Sequence, residues 1–503
     1  MELTGKQISR GSLTAKIVNS DGDVVAKDEL NGLQTGNHRL QMEVSNPGKW
    51  SAETPHLSLP MPDTMTDSIL IHNCTLLTAP DAPLLANASL LTRGDTIVAI
   101  GTTDTMQQAE TAQATTIIDG QGKLLMPGLI NAHNHCAMTL FRGMADDMEL
   151  ATWLSKYIFP AEARHVNKEM VYHCSKLAAA EMIFSGTTTV ADGYFFEGQA
   201  AQAFVDTGLR AIAAHGIIDF PAPGVPDPAR NLETAIEFLD EWQGKQPRIT
   251  PAIFAHSPYT CSAETLQRAK KLATERQVPF FIHVAESNKE QEMIQAARGT
   301  SPIRHLNALG LLDPGTICIH CVWLDEKDLA LLAKTRAGVV VCPQSHLKLA
   351  SGTAPASAMI KRGIRVGLGT DGCASNNSLD MFREMDLLSK TQKLHTLNAT
   401  SLPARQALTC ATINNAELLG LEAIGQLRPG YKADLILLDM QQPHLTPCYN
   451  QDLLVYGAGG ADVHTVIIDG RMVMADKKLL TFDVQATMQE VRRLASQLAG
   501  SLH

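Results

Sequence analysis

Between residues 127 and 424 the apolar positions come in short bursts: GLINAH, TTTVADG, RAIAAHG, ITPAIFAHS, PFFIHVAE, TICIHCV, GVVVCPQS and RVGLGTDG. Each burst has strand length and falls well short of a membrane span. Between most of them lie amphipathic stretches, such as AETLQRAKKLATERQ and LDEKDLALLAKT, with apolar residues at helical spacing. Strands alternating with helices imply parallel pairing, and eight such units predict a (β/α)8 TIM barrel.

The flanks keep a different rhythm. SILIHNCTLLT, ASLLTRGDTIVAIG and TTIIDGQGKLLMPG precede the bursts, and GYKADLILLD and VHTVIIDGRMVMADKK follow them. Gly-Asp and Asp-Gly pairs between these runs predict hairpins. A small β-sandwich domain built from both chain ends, 66–126 and 425–482, with the barrel inserted at 127–424, accounts for both sides. The tail FDVQATMQEVRRLASQLAG predicts a closing helix within 483–503. Residues 1–65 are polar and end in the linker-like TPHLSLPMPDTMTD. They read as an extension, open to disorder, with no assigned function.

Composition narrows the partners. With 45% hydrophobic and 19% charged residues, the 503-residue chain can bury a large core. A net charge of -10 argues against a nucleic-acid partner, whose footprint is basic. A small molecule fits better, and a homo-oligomer stays open. Ten scattered cysteines make no disulfide framework, and Cys318, Cys342 and Cys410 lie in apolar runs that suit reduced thiols. With no membrane span and no signal-like start, the expected location is cytoplasmic.

The residues ending the bursts are His, Asp, His, His, His with Glu, His, Ser and Asp. In a TIM barrel those ends form the mouth of the active site. His133 and His135 stand two apart and so share a face of the first strand. Converging neutral imidazoles suit a divalent transition metal, whereas two polar residues in a turn would be the bland alternative. His283 closes the fifth run, His320 lies in the sixth, and Asp371 closes the eighth. His133, His135, His283 and Asp371 supply enough ligands for catalytic zinc and leave a position free. His256 and His320 remain for work around the metal or on substrate.

MPGLINAHNH, HVAES, IHCV and GLGTDGCASNN make the chain resemble the amidohydrolase superfamily from about 67 to 480. HNHCAMTLFRGMADD, WLSKYIFPAE, AHSPYTCS and GTDGCASNNSLDMF are similar to its S-adenosylhomocysteine/5-methylthioadenosine deaminase group. The resemblance implies one Zn2+ per chain on His133, His135, His283 and Asp371, with Fe2+ or Mn2+ as alternatives. It implies that Glu162 holds ribose hydroxyls and that His256 contacts substrate. It also implies that Glu286 and His320 serve proton transfer, with Asp371 as general base; Glu286 and Asp371 then touch substrate as well. The implied activity is hydrolytic deamination of an adenine nucleoside: 5-methylthioadenosine, S-adenosylhomocysteine or adenosine. Dinuclear relatives carry a Lys at the end of strand four, where this chain reads FAHSPY.

Some residues depart from the group. His346 stands where Asn is usual, which touches the loop after strand seven. Some members have an Arg at the position of His215, and Arg230 falls near another substrate-reaching Arg. Two motifs mislead. GLGTDG spells G-x-G-x-x-G but ends the eighth strand instead of opening an early βαβ unit. CIHC places Cys318 and Cys321 on opposite faces of a strand, which suits neither a redox pair nor a metal clamp. Competing readings keep the fold and change the ring (guanine, 8-oxoguanine or cytosine deamination, or s-triazine dechlorination), or take the chain as an inert scaffold.

Overall fold

The structure, a computed structural model, describes residues 12–18, 24–31, 67–104, 106 and 114–499. It divides into Met1–Met65 and Thr66–His503. In the first unit, β1 (Ser12–Val18) and β2 (Val24–Asn31) pair antiparallel. The sequence reading assigned no strands there, because these runs are short and polar-rich.

In the second unit, β3 (Ser68–Leu76), β4 (Leu85–Arg93), β5 (Thr96–Thr102), β6 (Thr116–Asp119) and β7 (Lys123–Pro127) come first. Eight parallel strands follow: β8 (Leu129–Asn134), β9 (Thr187–Tyr194), β10 (Arg210–Ile217), β11 (Ile249–Ala255), β12 (Phe280–Val284), β13 (Thr316–His320), β14 (Gly338–Val341) and β15 (Val366–Leu368). They pair in sequence order and coincide with the eight apolar bursts. Then β16 (Leu435–Asp439), β17 (Val463–Ile468), β18 (Arg471–Ala475) and β19 (Lys478–Leu479) rejoin the first group. The join is the antiparallel pairing of β16 with β7, which makes one nine-stranded sheet from both chain ends. Ile71, Leu90, Leu125, Leu435 and Ile467 belong to its shared core. The closing helix, Val484–Ala499, sends Arg493 to Glu169 on helix Lys168–Phe184.

Side chains close the barrel. The Asn415 amide donates to the carbonyls of Ile130 and Leu368 at 2.6 and 2.8 Å, and its oxygen accepts from Leu368 N at 2.9 Å. Higher up, Asp371 N donates to the His133 carbonyl at 3.0 Å. This close approach explains the glycines of GLGTDG. A Cβ on Gly369 would lie 2.8 Å from His133 N, and one on Gly367 would lie 2.1 Å from the Asn415 oxygen. The glycines let β15 press on β8.

Alternation along the strands divides the core. Ile212, Ala214, Ala252, Phe254, Phe281, Ile317 and Ile319 fill the barrel interior. Ala211, Ala213, Ile253, Ile282 and Cys318 belong to a second cluster with helix residues such as Phe238 and Leu266.

A buried ion cluster ties barrel to sheet. Arg210, at the start of β10, donates to both oxygens of Asp434 at 2.7 and 3.1 Å and to Asp469 at 2.7 Å. Its Asp434 partner is 1% exposed. Removing one member of such a pair leaves a charge buried alone, which costs about 3–5 kcal/mol. We expect Arg210→Met to destabilise the chain by that much in urea denaturation; an unchanged midpoint would show that the cluster carries no net stability. Among the described residues, no helix is long and apolar enough to cross a membrane.

Candidate active site

The barrel mouth gathers the strand-tip residues by local backbone devices. His133 is the penultimate residue of β8, where the pairing with β9 slips between Asn131 and Asn134. Just after it, Cys136 N donates to Asp192 at 2.7 Å and pins the turn that carries His135. In β12, His283 shares the inward face of Phe281. Glu286 sits in the next turn, held because the amides of Ala285 and Glu286 both donate at 2.9 Å to the buried Glu290 carboxylate. Simple alternation would send His320 outward with Cys318. Instead His320 has φ +77, a left-handed conformation rare outside glycine, and it faces the cavity. Asp371, with φ +63, is re-aimed in the same way.

These turns bring His133, His135 and His283 together, with ligand atoms within 4.8 Å of one another, and likewise His133, His320 and Asp371. Asp371 Oδ1 is 3.4 Å from His133 Nε2 and 3.5 Å from His135 Nε2. His133 Nε2 is buried with no hydrogen-bond partner, a costly state unless something else fills the position. Burial holds His133 down to about 3 and His283 well below its usual value, so both imidazoles are neutral. Burial alone would raise Asp371, but the imidazoles around it hold the carboxyl well below its usual range. Three imidazoles and one carboxylate form a donor set that fits a divalent transition metal.

Neighbours orient the set. His135 Nδ1 meets the Gly193 carbonyl at 2.6 Å, which makes Nδ1 the donor and leaves Nε2 on the side of Asp371. Ser345 Oγ donates to Asp371 Oδ2 at 2.7 Å, and Gly372 N donates to Oδ1 at 2.7 Å. His320 Nδ1 lies 3.1 Å from His346 Nε2, and its Nε2 lies 3.8 Å from Glu286. Burial lowers His320 to about 4 and His256 to about 3, with His256 Nδ1 2.9 Å from Thr260 Oγ1. Burial, reinforced by the Asp371 charge, pushes Glu286 up to about 8.

His135, His256, His283, Glu286, His320 and Asp371 border one cavity of about 400 Å3. Glu162 borders it too, from helix Phe159–His165. Its carboxyl accepts from Tyr194 Oη at 2.6 Å, and burial raises it to about 7. Trp153 lines the same space.

Two sequence expectations fail here. Cys318 and Cys321 do not point to opposite faces: β13 stops at His320, and the positive φ of His320 and Cys321 returns the second thiol to the first. Nor do His215 and Arg230 approach the cavity. His215 faces outward, stacked on Phe238 and 3.3 Å from Thr234, and Arg230 is paired with Glu233 at the surface. Sequence reasoning gave no role to Tyr194 or Thr260, and named Ser345 only as a strand end. Each stands within a few residues of a burst's end, and that position was the available signal. His346 was noticed as a departure; its contact with His320 was not.

The profile of the amidohydrolase family matches residues 124–473. The chain belongs to the amidohydrolase family. It is 44% identical over 438 residues to the 5-methylthioadenosine/S-adenosylhomocysteine deaminase 1 of Syntrophus aciditrophicus, covering 87% of this chain and 98% of that one. It is 42% identical to the 5'-deoxyadenosine deaminase of Methanosarcina mazei, over 86% of this chain and 99% of that one. Among solved structures, an adenosine deaminase from Xanthomonas campestris with bound zinc matches with a TM-score of 0.83 and 33% identity, covering 87% of this chain and all of that one.

Proposed function

We propose that the chain is a zinc-dependent hydrolytic deaminase of adenine nucleosides, taking 5-methylthioadenosine, S-adenosylhomocysteine or adenosine to the inosyl product and ammonia. The observation that carries this reading is one cavity bordered by His135, His283 and Asp371, with His133 clustered within ligand reach of the two histidines, and by the Glu162–Tyr194 pair. The names of the relatives and the zinc in the Xanthomonas structure support it. All ten cysteines are free, nine of them buried, which supports a cytoplasmic location.

Zinc held by the four donors would make hydroxide available near neutral pH. The rest falls to side chains. Asp371 accepts the proton of the attacking water. His320 hydrogen-bonds that water and fixes its approach. Glu286, kept protonated by burial, gives a proton to the ring nitrogen beside the attacked carbon and relieves the charge that attack creates there. His256 contacts the base. The proton held by Asp371 passes to the amino group, ammonia leaves from the tetrahedral carbon, and the proton of the new hydroxyl restores Glu286 as the carbonyl forms. Glu162 accepts from both ribose hydroxyls, a match of two acceptor oxygens to a cis-diol.

Glu162→Gln tests this reading. Turnover of adenine nucleosides should fall by more than about tenfold, mainly through KM, while any free-base substrate is spared. Equal loss on both classes would remove Glu162 from the ribose site. Absence of ammonia release from every adenine nucleoside tested would remove the function.

A further inference from the structure

The proposed substrates differ at the 5′ carbon: hydroxyl, methylthio, or a tail carrying an ammonium and a carboxylate. If Glu162 grips the ribose diol, the 5′ group lies beside it. The helical segment 150–165 shows what waits there. Leu154 and Ile158 precede Glu162 at four-residue steps, with Phe159 one turn before it, and all three line the cavity. Phe220, from the loop after β10, meets Phe159 ring to ring at 5.8 Å and lines the same cavity. Beyond that pair, Pro221 and Pro223 add further apolar wall.

Among the described residues lining the cavity, none is Lys or Arg. The acids Glu162, Glu286 and Asp371 do line it. Basic residues on the surrounding segments are committed or turned away. Lys348 binds Asp146 at 2.6 Å and the Ala374 carbonyl at 3.0 Å. Lys289 pairs with Glu149, and Arg230 with Glu233. Lys156 and Arg164 lie on the exposed face of segment 150–165. A carboxylate entering beside Glu162 would lose water and gain no Lys or Arg partner.

We infer that this cavity selects adenine nucleosides whose 5′ substituent is uncharged and apolar, and discriminates against the amino-acid tail of S-adenosylhomocysteine. The inference rests on the deaminase reading above and divides its substrates. Methylthio fits the Ile158–Phe159–Phe220 surface, and a 5′-deoxy carbon leaves it partly unfilled. A hydroxyl places a polar group against it.

The test is kcat/KM of the full metal-loaded chain for 5-methylthioadenosine, 5'-deoxyadenosine, adenosine and S-adenosylhomocysteine. We expect the first two within about tenfold of each other and S-adenosylhomocysteine lower by about a hundredfold or more, since an unpaired buried charge is rejected far more strongly than a missing methylene. Leu154→Arg should then narrow that gap by at least about tenfold, because it offers the tail a cation. Equal turnover of S-adenosylhomocysteine and 5-methylthioadenosine would overturn the inference and leave the deaminase reading standing. Failure on all four nucleosides would sink the deaminase reading itself.

Discussion

Replacing Asp371 with alanine is expected to lower kcat for nucleoside deamination by about a thousandfold and to weaken retention of the bound divalent cation. The carboxylate is the only anion in the donor set, with one oxygen within 3.5 Å of the Nε2 atoms of both His133 and His135. Both of its oxygens are held by donors, Gly372 N and Ser345 Oγ, so it is fixed in place before any ligand arrives. Loss of a group that only supports a ligand costs about 10–100-fold in metal affinity, and loss of a ligand should exceed that. Removal of a positioned proton acceptor costs a further 10²–10⁴-fold or so in rate. Metal content after dialysis and ammonia release measure the two effects separately. Ser345→Ala is the graded companion: it keeps the carboxylate, loses one orienting hydrogen bond, and should cost far less on both readouts. An Asp371→Ala protein that keeps its cation and its kcat within tenfold would place the centre elsewhere.

The barrel was legible because each strand advertises itself twice, by an apolar burst and by the helical stretch that follows. Residues such as Ile317 and Ile319 alternate with outward neighbours, and such local alternation survives in a linear text. Its closure was not legible. Asn415 lies 285 positions from the Ile130 carbonyl it bonds, and nothing near it marks the link. The same limit governed the site. His133, His135 and His283 could be placed because strand parity and strand ends located them. For His320 and Cys321 parity failed, since two left-handed residues in succession reverse the chain. Parity used strictly would have turned His215 outward, which is where it lies; the resemblance pulled it toward the substrate instead. Contacts between different strand ends, such as Tyr194 with Glu162 or His346 with His320, depend on geometry that no single segment encodes.

Glu286 should show a different signature from Asp371. Its buried carboxyl, raised to about 8, keeps its proton across neutral pH. The proton-donating form is complete below that value and is lost as pH rises through it, so kcat should fall on the alkaline side. A dication nearby favours the carboxylate and moves this limb downward. Glutamine at position 286 can hydrogen-bond the ring nitrogen but has no proton to give. Glu286→Gln is therefore expected to lower kcat by about 10²–10⁴-fold, to change KM little, and to erase the alkaline limb. Its cation should stay bound, because the donor set is untouched; this separates it from Asp371→Ala. The nearest alternative donor is His320, 3.8 Å from Glu286 and held neutral by burial. Were His320 the proton donor, the alkaline limb would survive in Glu286→Gln and vanish in His320→Gln. The pair of pH profiles thus assigns the proton to one side chain or the other.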